Sequence, residues 1–199
     1  MKNSNETTSI MVVGVGGQGV LTASEIIAQA CLHEGFDIKK SEVHGMAQRG
    51  GSVVSHVRFS RAGPVAAPLP VPGQVDLLVG FELVEALRAL SWLRAGGGAV
   101  VNKLLLPPPL AADGSVPSAE DCIARVRQHA GQVVAVDGEE IARQVGNRRT
   151  ANTAVVGAAA SFLPISEDNW QQAIIEVVPE QTVQVNWQAF QLGRATIVE

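Results

Sequence analysis

The junction Val12-Val13-Gly14-Val15-Gly16-Gly17-Gln18-Gly19-Val20-Leu21 constrains this chain more than any other stretch: an apolar strand stops, four glycines fall between positions 14 and 19, and an amphipathic helix begins at once. Glycine tolerates positive φ and lets backbone N–H groups approach a ligand closely, and the first turn of the following helix adds unpaired donors at the positive end of its dipole. Such a turn suits an anion, phosphate above all. Gly14, Gly16 and Gly19 match the G-x-G-x-x-G spacing of a dinucleotide-binding turn, with the strand before and the helix after that the motif requires. The acid that should accept from the ribose has Glu42 as its sole candidate, and Lys39, Lys40, His44, Gln48 and Arg49 around it favour phosphate or carboxylate groups instead. Three readings stay open: a complete dinucleotide site, a tight turn with packing glycines, and a loop that accommodates a phosphorylated ligand.

The rest of the chain alternates between strand and helix patterns. Residues 9–15 read as a strand buried on both faces, 18–35 as a helix stopped by Gly35, 36–42 as a second strand and 52–59 as an alternating third. After a connection carrying Pro64, Pro68, Pro70 and Pro72, a buried strand over 76–81 leads into a helix over 82–93. A short strand over 99–102 follows the Gly96-Gly97-Gly98 turn, and 103–118 is irregular. Residues 118–130 are helical behind Ser118, 132–136 form a strand, and helices are expected over 139–145, 152–162, 166–177 and 180–192. This order implies one α/β domain: a doubly wound, mostly parallel, Rossmann-like sheet with helices on both faces and ligands at the carboxyl ends of its strands. Residues 1–8 are expected to be a disordered lead-in and 9–199 the domain. The glycine loop, the loop from His44 to Gly51, the Phe81-Glu82 corner and Asn102 should then share one rim.

Composition narrows the function classes. A chain of 199 residues with 46% hydrophobic and 17% charged residues can bury a sizeable core, and its net charge of −4 argues against a nucleic-acid surface. The first nine residues lack the apolar core of a signal peptide, and the longest apolar run, 154–163, is about half of the roughly 20 residues a membrane helix needs, so a cytoplasmic protein is expected. Cys31 and Cys122 stand far apart without a Cys-x-x-Cys neighbour, and the four histidines show no ligand spacing; no metal is expected on this chain. No nucleophile stands out, so no catalytic residue is assigned.

The chemistry-bearing candidates therefore cluster in two glycine loops. In the second, the planar fork of Arg49 can hold phosphate or carboxylate bidentately beside the unshielded amides of Gly50 and Gly51. A solvated loop or a subunit interface explains His44, Gln48 and Arg49 equally well. Glu82 and Glu85, three apart at a helix start, read as partners of the helix dipole rather than an acid/base pair. Arg148 to Thr153 precede a helix of small residues, read first as a buried core helix and second as an oligomer interface.

Gly14-Val-Gly-Gly-Gln-Gly-Val-Leu-Thr-Ala-Ser, followed by Ser41-Glu-Val-His-Gly-Met-Ala-Gln-Arg-Gly-Gly-Ser-Val-Val-Ser-His-Val-Arg58, resembles the gamma-domain family of 2-oxoacid:ferredoxin oxidoreductases, nearest to its indolepyruvate beta-subunit branch. A looser likeness extends through Val75-Asp-Leu-Leu-Val-Gly-Phe-Glu, Val100-Val-Asn102 and Asn152. The resemblance implies a heteromeric oxidoreductase that oxidatively decarboxylates a 2-oxoacid, here indolepyruvate or another aryl pyruvate, with coenzyme A, giving an acyl-CoA, carbon dioxide and reduced ferredoxin. It also implies that thiamine diphosphate, Mg and 4Fe-4S clusters sit on a large partner subunit, that ferredoxin is met through the complex, and that the isolated chain is inactive. Nucleic acid and membrane are not expected as partners, and a homodimer of the isolated chain stays open. By resemblance and loop chemistry together, coenzyme A or another phosphate ligand is assigned to Gly14, Gly16, Gly17, Gln18, Gly19, Arg49, Gly50 and Gly51, with Glu42, His44, Gln48 and Asn102 behind them. The alternatives are a free-standing NAD- or FAD-binding protein, reductase or regulator, and a purely structural interaction module.

Overall fold

Eight residues, Thr8–Val15, form β1, and their pairing sets the architecture. The computed structural model describes residues 7–44, 50–106 and 117–196. β1 leads through α1 (Val20–His33) to the hairpin β2 (Asp37–His44) and β3 (Ser52–Ser60), then to β4 (Val75–Gly80), α2 (Leu83–Ala89) and β5 (Leu93–Asn102). The chain continues through α3 (Ala119–His129), β6 (Gln132–Val136), α4 (Gly138–Gln144), α5 (Ala151–Ala160), α6 (Glu167–Val177) and α7 (Val183–Arg194). The six strands lie in the order β2-β3-β1-β4-β5-β6. β1, β4, β5 and β6 are parallel, whereas β3 runs antiparallel to both β1 and β2. A reversed β3 follows from the short connection behind β2, since a parallel return needs a crossover of a dozen residues or more.

Alternation along the buried strands sorts the core into two layers. Ile10, Val12, Leu77, Val79, Val100 and Val134 face α1, α5, α6 and α7, packing with Ile26, Ile27, Trp170 and Phe190. Met11, Val13, Leu78, Ala99, Val101 and Val133 face α2 and α3, packing with Leu83, Ala86, Cys122 and Val126. α5 and α7 meet backbone to backbone: a β-carbon on Gly157 would overlap the Phe190 carbonyl, and one on Gly193 would overlap the Ala154 carbonyl. At the far end of α1, the Glu34 carboxylate accepts from the Ser166 N–H at 2.9 Å and from Asn169 Nδ2 at 2.8 Å, fastening α1 to the start of α6.

Several boundaries differ from those the pattern implies. Gly96-Gly97-Gly98 is not a turn before a short strand; β5 starts at Leu93 and runs through it, with a register irregularity between Val75 and Leu77 on the neighbouring strand. The missing side chains are what make this possible, because the Phe162 ring occupies the space beside Gly98 and the Leu93 side chain that beside Gly97. The helix expected over 82–93 ends as α2 and one 3₁₀ turn, Leu90–Trp92, and the last helix is entered through another, Glu180–Thr182. The disordered lead-in expected over residues 1–8 falls mostly outside the described residues, and Thr8 already belongs to β1.

Candidate functional site

β1 sends the chain through α1 over one face of the sheet toward β2 and β3, and β4 sends it through α2 over the other toward β5 and β6. The opening between two such diverging connections, at the carboxyl ends of the strands, is where doubly wound sheets receive ligands. A cleft of about 710 Å³ lies there, bordered by Gly17–Gly19 before α1, Phe81 after β4, Asn102 at the end of β5, residues 147–149 and 151–152 and the connection from α6 to α7.

Each glycine of the first loop has a separate reason. Gly17 and Gly19 have φ of 102° and 80°, which a side chain would strain. Gly14 lies within β1, where a β-carbon would stand 2.7 Å from Gln18 Oε1 and 2.9 Å from Phe81 Cβ. The Gly16 N–H donates to the Gly51 carbonyl at 2.8 Å, which joins the glycine turn to the end of the β2–β3 hairpin. The Gln18 side chain folds back so that its Oε1 accepts from the Val15 N–H at 2.7 Å; its Nε2 is buried without a partner among the described residues.

Helix starts give the cleft its sign. α2, α3, α4 and α6 are capped by the side chains of Glu82, Ser118, Asp137 and Ser166. α1 has no capping side chain, α5 continues a 3₁₀ turn whose start is capped by Asn147, α7 continues the turn Glu180–Thr182 behind Pro179, and the first turns of all three border the cleft. Arg148 and Arg149, exposed on a 3₁₀ turn running into α5, add two cations, and among the described residues no ion pair engages either. Cations at a helix N-terminus run against the dipole, whereas anions there are favoured. Glu139 is the single carboxylate on the described lining. The arrangement is therefore suited to hold an anionic ligand against backbone donors and guanidinium groups.

The residues singled out from sequence divide accordingly. Gly17, Gln18, Gly19 and Asn102 meet on the cleft. Asn102, 3% exposed, is a frame residue: its Nδ2 donates to the Phe81 carbonyl at 3.3 Å and its Oδ1 accepts from the Gly138 N–H at 3.0 Å. Gly14, Gly16, Gly50 and Gly51 are not on the cleft lining; Gly14 and Gly16 shape the turn from behind, and Gly50, with φ of 79°, turns the chain toward β3. Glu42 bonds Lys40 at 2.7 Å and lies on β2, with β3 between it and β1, about 10 Å away in strand spacings. Gln48, Arg49 and the His44 side chain lie outside the described residues. Glu82 caps α2, its Oε2 accepting from the Glu85 N–H at 2.8 Å and its Oε1 from the Leu106 N–H at 3.0 Å, in keeping with a dipole partner.

Sequence reading missed the opposite wall: Arg148, Arg149, Asn152, Thr182 and Asn186. One signal was available. Two adjacent arginines ahead of a helix whose first turn holds no acid contradict the charge preference of a helix start, and that conflict points to an anion from outside the chain.

The sequence profile of pyruvate ferredoxin/flavodoxin oxidoreductases matches residues 9–196. The chain belongs to that family. Within it the chain is of the gamma-subunit type, the small subunit of 2-oxoacid:ferredoxin oxidoreductases. It is 36% identical over 190 residues to the indolepyruvate oxidoreductase subunit IorB of Thermococcus kodakarensis, covering 93% of each chain. It is 28% identical over 193 residues to the 2-oxoglutarate synthase subunit KorC of Methanothermobacter thermautotrophicus, covering 96% of this chain and 95% of the other. Among solved structures, the gamma subunit of a keto/oxoacid ferredoxin oxidoreductase from Geobacter sulfurreducens superposes with a TM-score of 0.68 at 25% identity, over 94% and 95% of the two chains. A 2-oxoglutarate:ferredoxin oxidoreductase chain from Magnetococcus marinus, solved with 2-oxoglutarate, coenzyme A and succinyl-CoA, shares the fold at a TM-score of 0.75 and 18% identity; this chain covers 31% of it. Among the described residues no helix is long and apolar enough to cross a membrane, and no group of three or more His, Cys, Asp or Glu is arranged to hold a metal.

Proposed function

We propose that this chain is the small subunit of an oxidoreductase acting on indolepyruvate or a related aryl pyruvate, and that its cleft holds the phosphate groups of coenzyme A. The observation that carries the reading is the meeting of the uncapped start of α1 with Arg148 and Arg149, which no ion pair engages among the described residues, around one cleft. Relatives named for indolepyruvate at 36% and 37% identity support the substrate class. Coenzyme A supplies the thiol that receives the acyl group; this chain's residues bind and orient its charged end. Thiamine diphosphate, Mg and 4Fe-4S clusters belong in this reading to a larger partner subunit, through which ferredoxin is reduced.

An open cleft faces high-dielectric water, where a phosphate contact is weak. A partner that covers the cleft strengthens every charge-assisted hydrogen bond inside it. The isolated chain accordingly has no 2-oxoacid oxidation activity and regains it with the larger subunit. A free-standing NAD or FAD protein is the poorer reading, because Glu42 is tied to Lys40 on β2, with β3 between it and β1.

Isothermal titration of the assembled complex tests the assignment. Arg148→Ala/Arg149→Ala and Gly17→Val should each lower coenzyme A affinity by tenfold or more, and Arg49→Ala probes the neighbouring loop. Unchanged affinity in all of them removes the cleft from the proposal, and tight NAD or FAD binding by the pure chain replaces it.

A further inference from the structure

Below the arginines the cleft contains two carboxamides whose orientation is fixed. Asn152, the second residue of α5, is 9% exposed. Its Oδ1 accepts from the Thr153 N–H at 2.9 Å. A backbone N–H can be received only by the oxygen, so the nitrogen must point the other way. It faces Gly19, where Nδ2 stands 2.5 Å from the position of a β-carbon, and among the described residues it donates to nothing. Thr153 is held in turn, its Oγ1 2.6 Å from Asn186 Oδ1, while Asn186 Nδ2 donates to the Thr182 carbonyl at 2.9 Å. Gln18 repeats the pattern from the other side of the turn: its oxygen is taken by the Val15 N–H, and its buried nitrogen has no partner among the described residues.

Buried donors are almost always satisfied, and leaving one unmade is costly. Gln18 Nε2 is such a donor among the described residues, and Asn152 Nδ2, whose oxygen is likewise taken, borders the cleft beside Gly19 at the uncapped start of the 14-residue α1. We propose that Asn152 and Gln18 supply side-chain N–H donors that, with the first turn of α1, receive the oxygens of one phosphoryl group. The Thr153 N–H keeps the Asn152 nitrogen turned inward, and Asn186 acts as a positioning residue by holding the Thr153 hydroxyl. This rests on the reading of the cleft as a phosphate site and adds which neutral side chains read the phosphate. The Gly19 position follows as well: any side chain there would fill the space in which Asn152 meets the ligand.

The probe is inorganic pyrophosphate, titrated by ³¹P NMR against the full chain alone and assembled with its larger subunit. Asn152→Asp keeps an oxygen for Thr153 and replaces the inward donor with a second oxygen; Gln18→Glu does the same on the other side. Each is expected to weaken pyrophosphate binding by tenfold or more with an unchanged thermal midpoint. Thr153→Val should give a smaller loss through misorientation. Wild-type binding with undiminished affinity in both folded variants overturns the donor assignment while leaving the cleft reading intact. Absence of wild-type binding, in the chain and in the complex, overturns the cleft reading and this inference with it. Should Asn152→Asp fail to fold, Gln18→Glu decides.

Discussion

Two strand-to-helix corners stand side by side at the same edge of the sheet and are built in opposite ways. β1 and β4 are parallel neighbours, Val13 beside Gly80, and each passes directly into a helix. α1 begins behind Gly19, whose left-handed backbone carries no side chain to meet the first N–H groups. α2 begins behind Glu82, 2% exposed, whose carboxylate caps its own helix and ties down Leu106. The difference lies in the withheld cap at the first corner against the internal carboxylate at the second, which leaves the first-turn N–H groups of α1 without a capping side chain among the described residues.

The comparison breaks most severely at the filled corner. Glu82→Ala removes the acceptor for two backbone donors, one of them buried, and is expected to cost ~3 kcal/mol of stability by chemical denaturation. A loss below ~1 kcal/mol would mean that the cap is dispensable. At the open corner, Gly19→Ala forces a β-carbon into φ of 80° and to within 2.5 Å of Asn152 Nδ2, for ~2 kcal/mol together with lost anion binding. Removing Arg148 and Arg149 should separate binding from stability. Coenzyme A affinity of the complex falls about tenfold, roughly 1.4 kcal/mol, while the free chain melts slightly higher because two cations leave a helix start. A lower melting temperature would show that the pair supports the fold instead.

The smallest effect lies on β3, against the 3₁₀ turn that follows α2. His56, 3% exposed and packed 5.6 Å from Trp92, has its pKa lowered by burial and secondarily by Arg58, and its Nδ1 has no partner among the described residues. The unfolded chain therefore binds the proton more readily than the folded one. Stability contributed by the neutral ring is fully present above the ordinary value of 6.5 and is lost as pH falls through the lowered folded value. Denaturation curves of wild type should weaken over that window, and His56→Leu should flatten the slope; an unaltered slope assigns it to other groups.

How far the sequence was legible follows the range of the forces involved. β1, its glycine turn and α1 were readable to within a few residues because strand period, glycine and helix start are local. So was the capping of α3 by Ser118, where Ser118 and Asp121 satisfy each other's backbone N–H groups. The run at 96–98 misled, because glycine there makes room for Phe162 and Leu93, contacts that no local pattern encodes. The far wall of the cleft was hidden for the same reason. Arg148, Asn152 and Asn186 come together only once α5 and α7 are packed, and the small-residue run of α5 reads as core, which nine of its ten residues are.

That packing has a mechanical corollary. Where Gly157 and Gly193 let two backbones touch, no side chain stands between α5 and α7, and a methyl group at either position would force them apart. Thr182 and Asn186 ride on α7, and the span from them to the glycine turn is thereby gauged by the main chain itself. Substitutions on the lining leave that contact untouched, whereas a β-carbon at Gly157 or Gly193 would displace the wall itself.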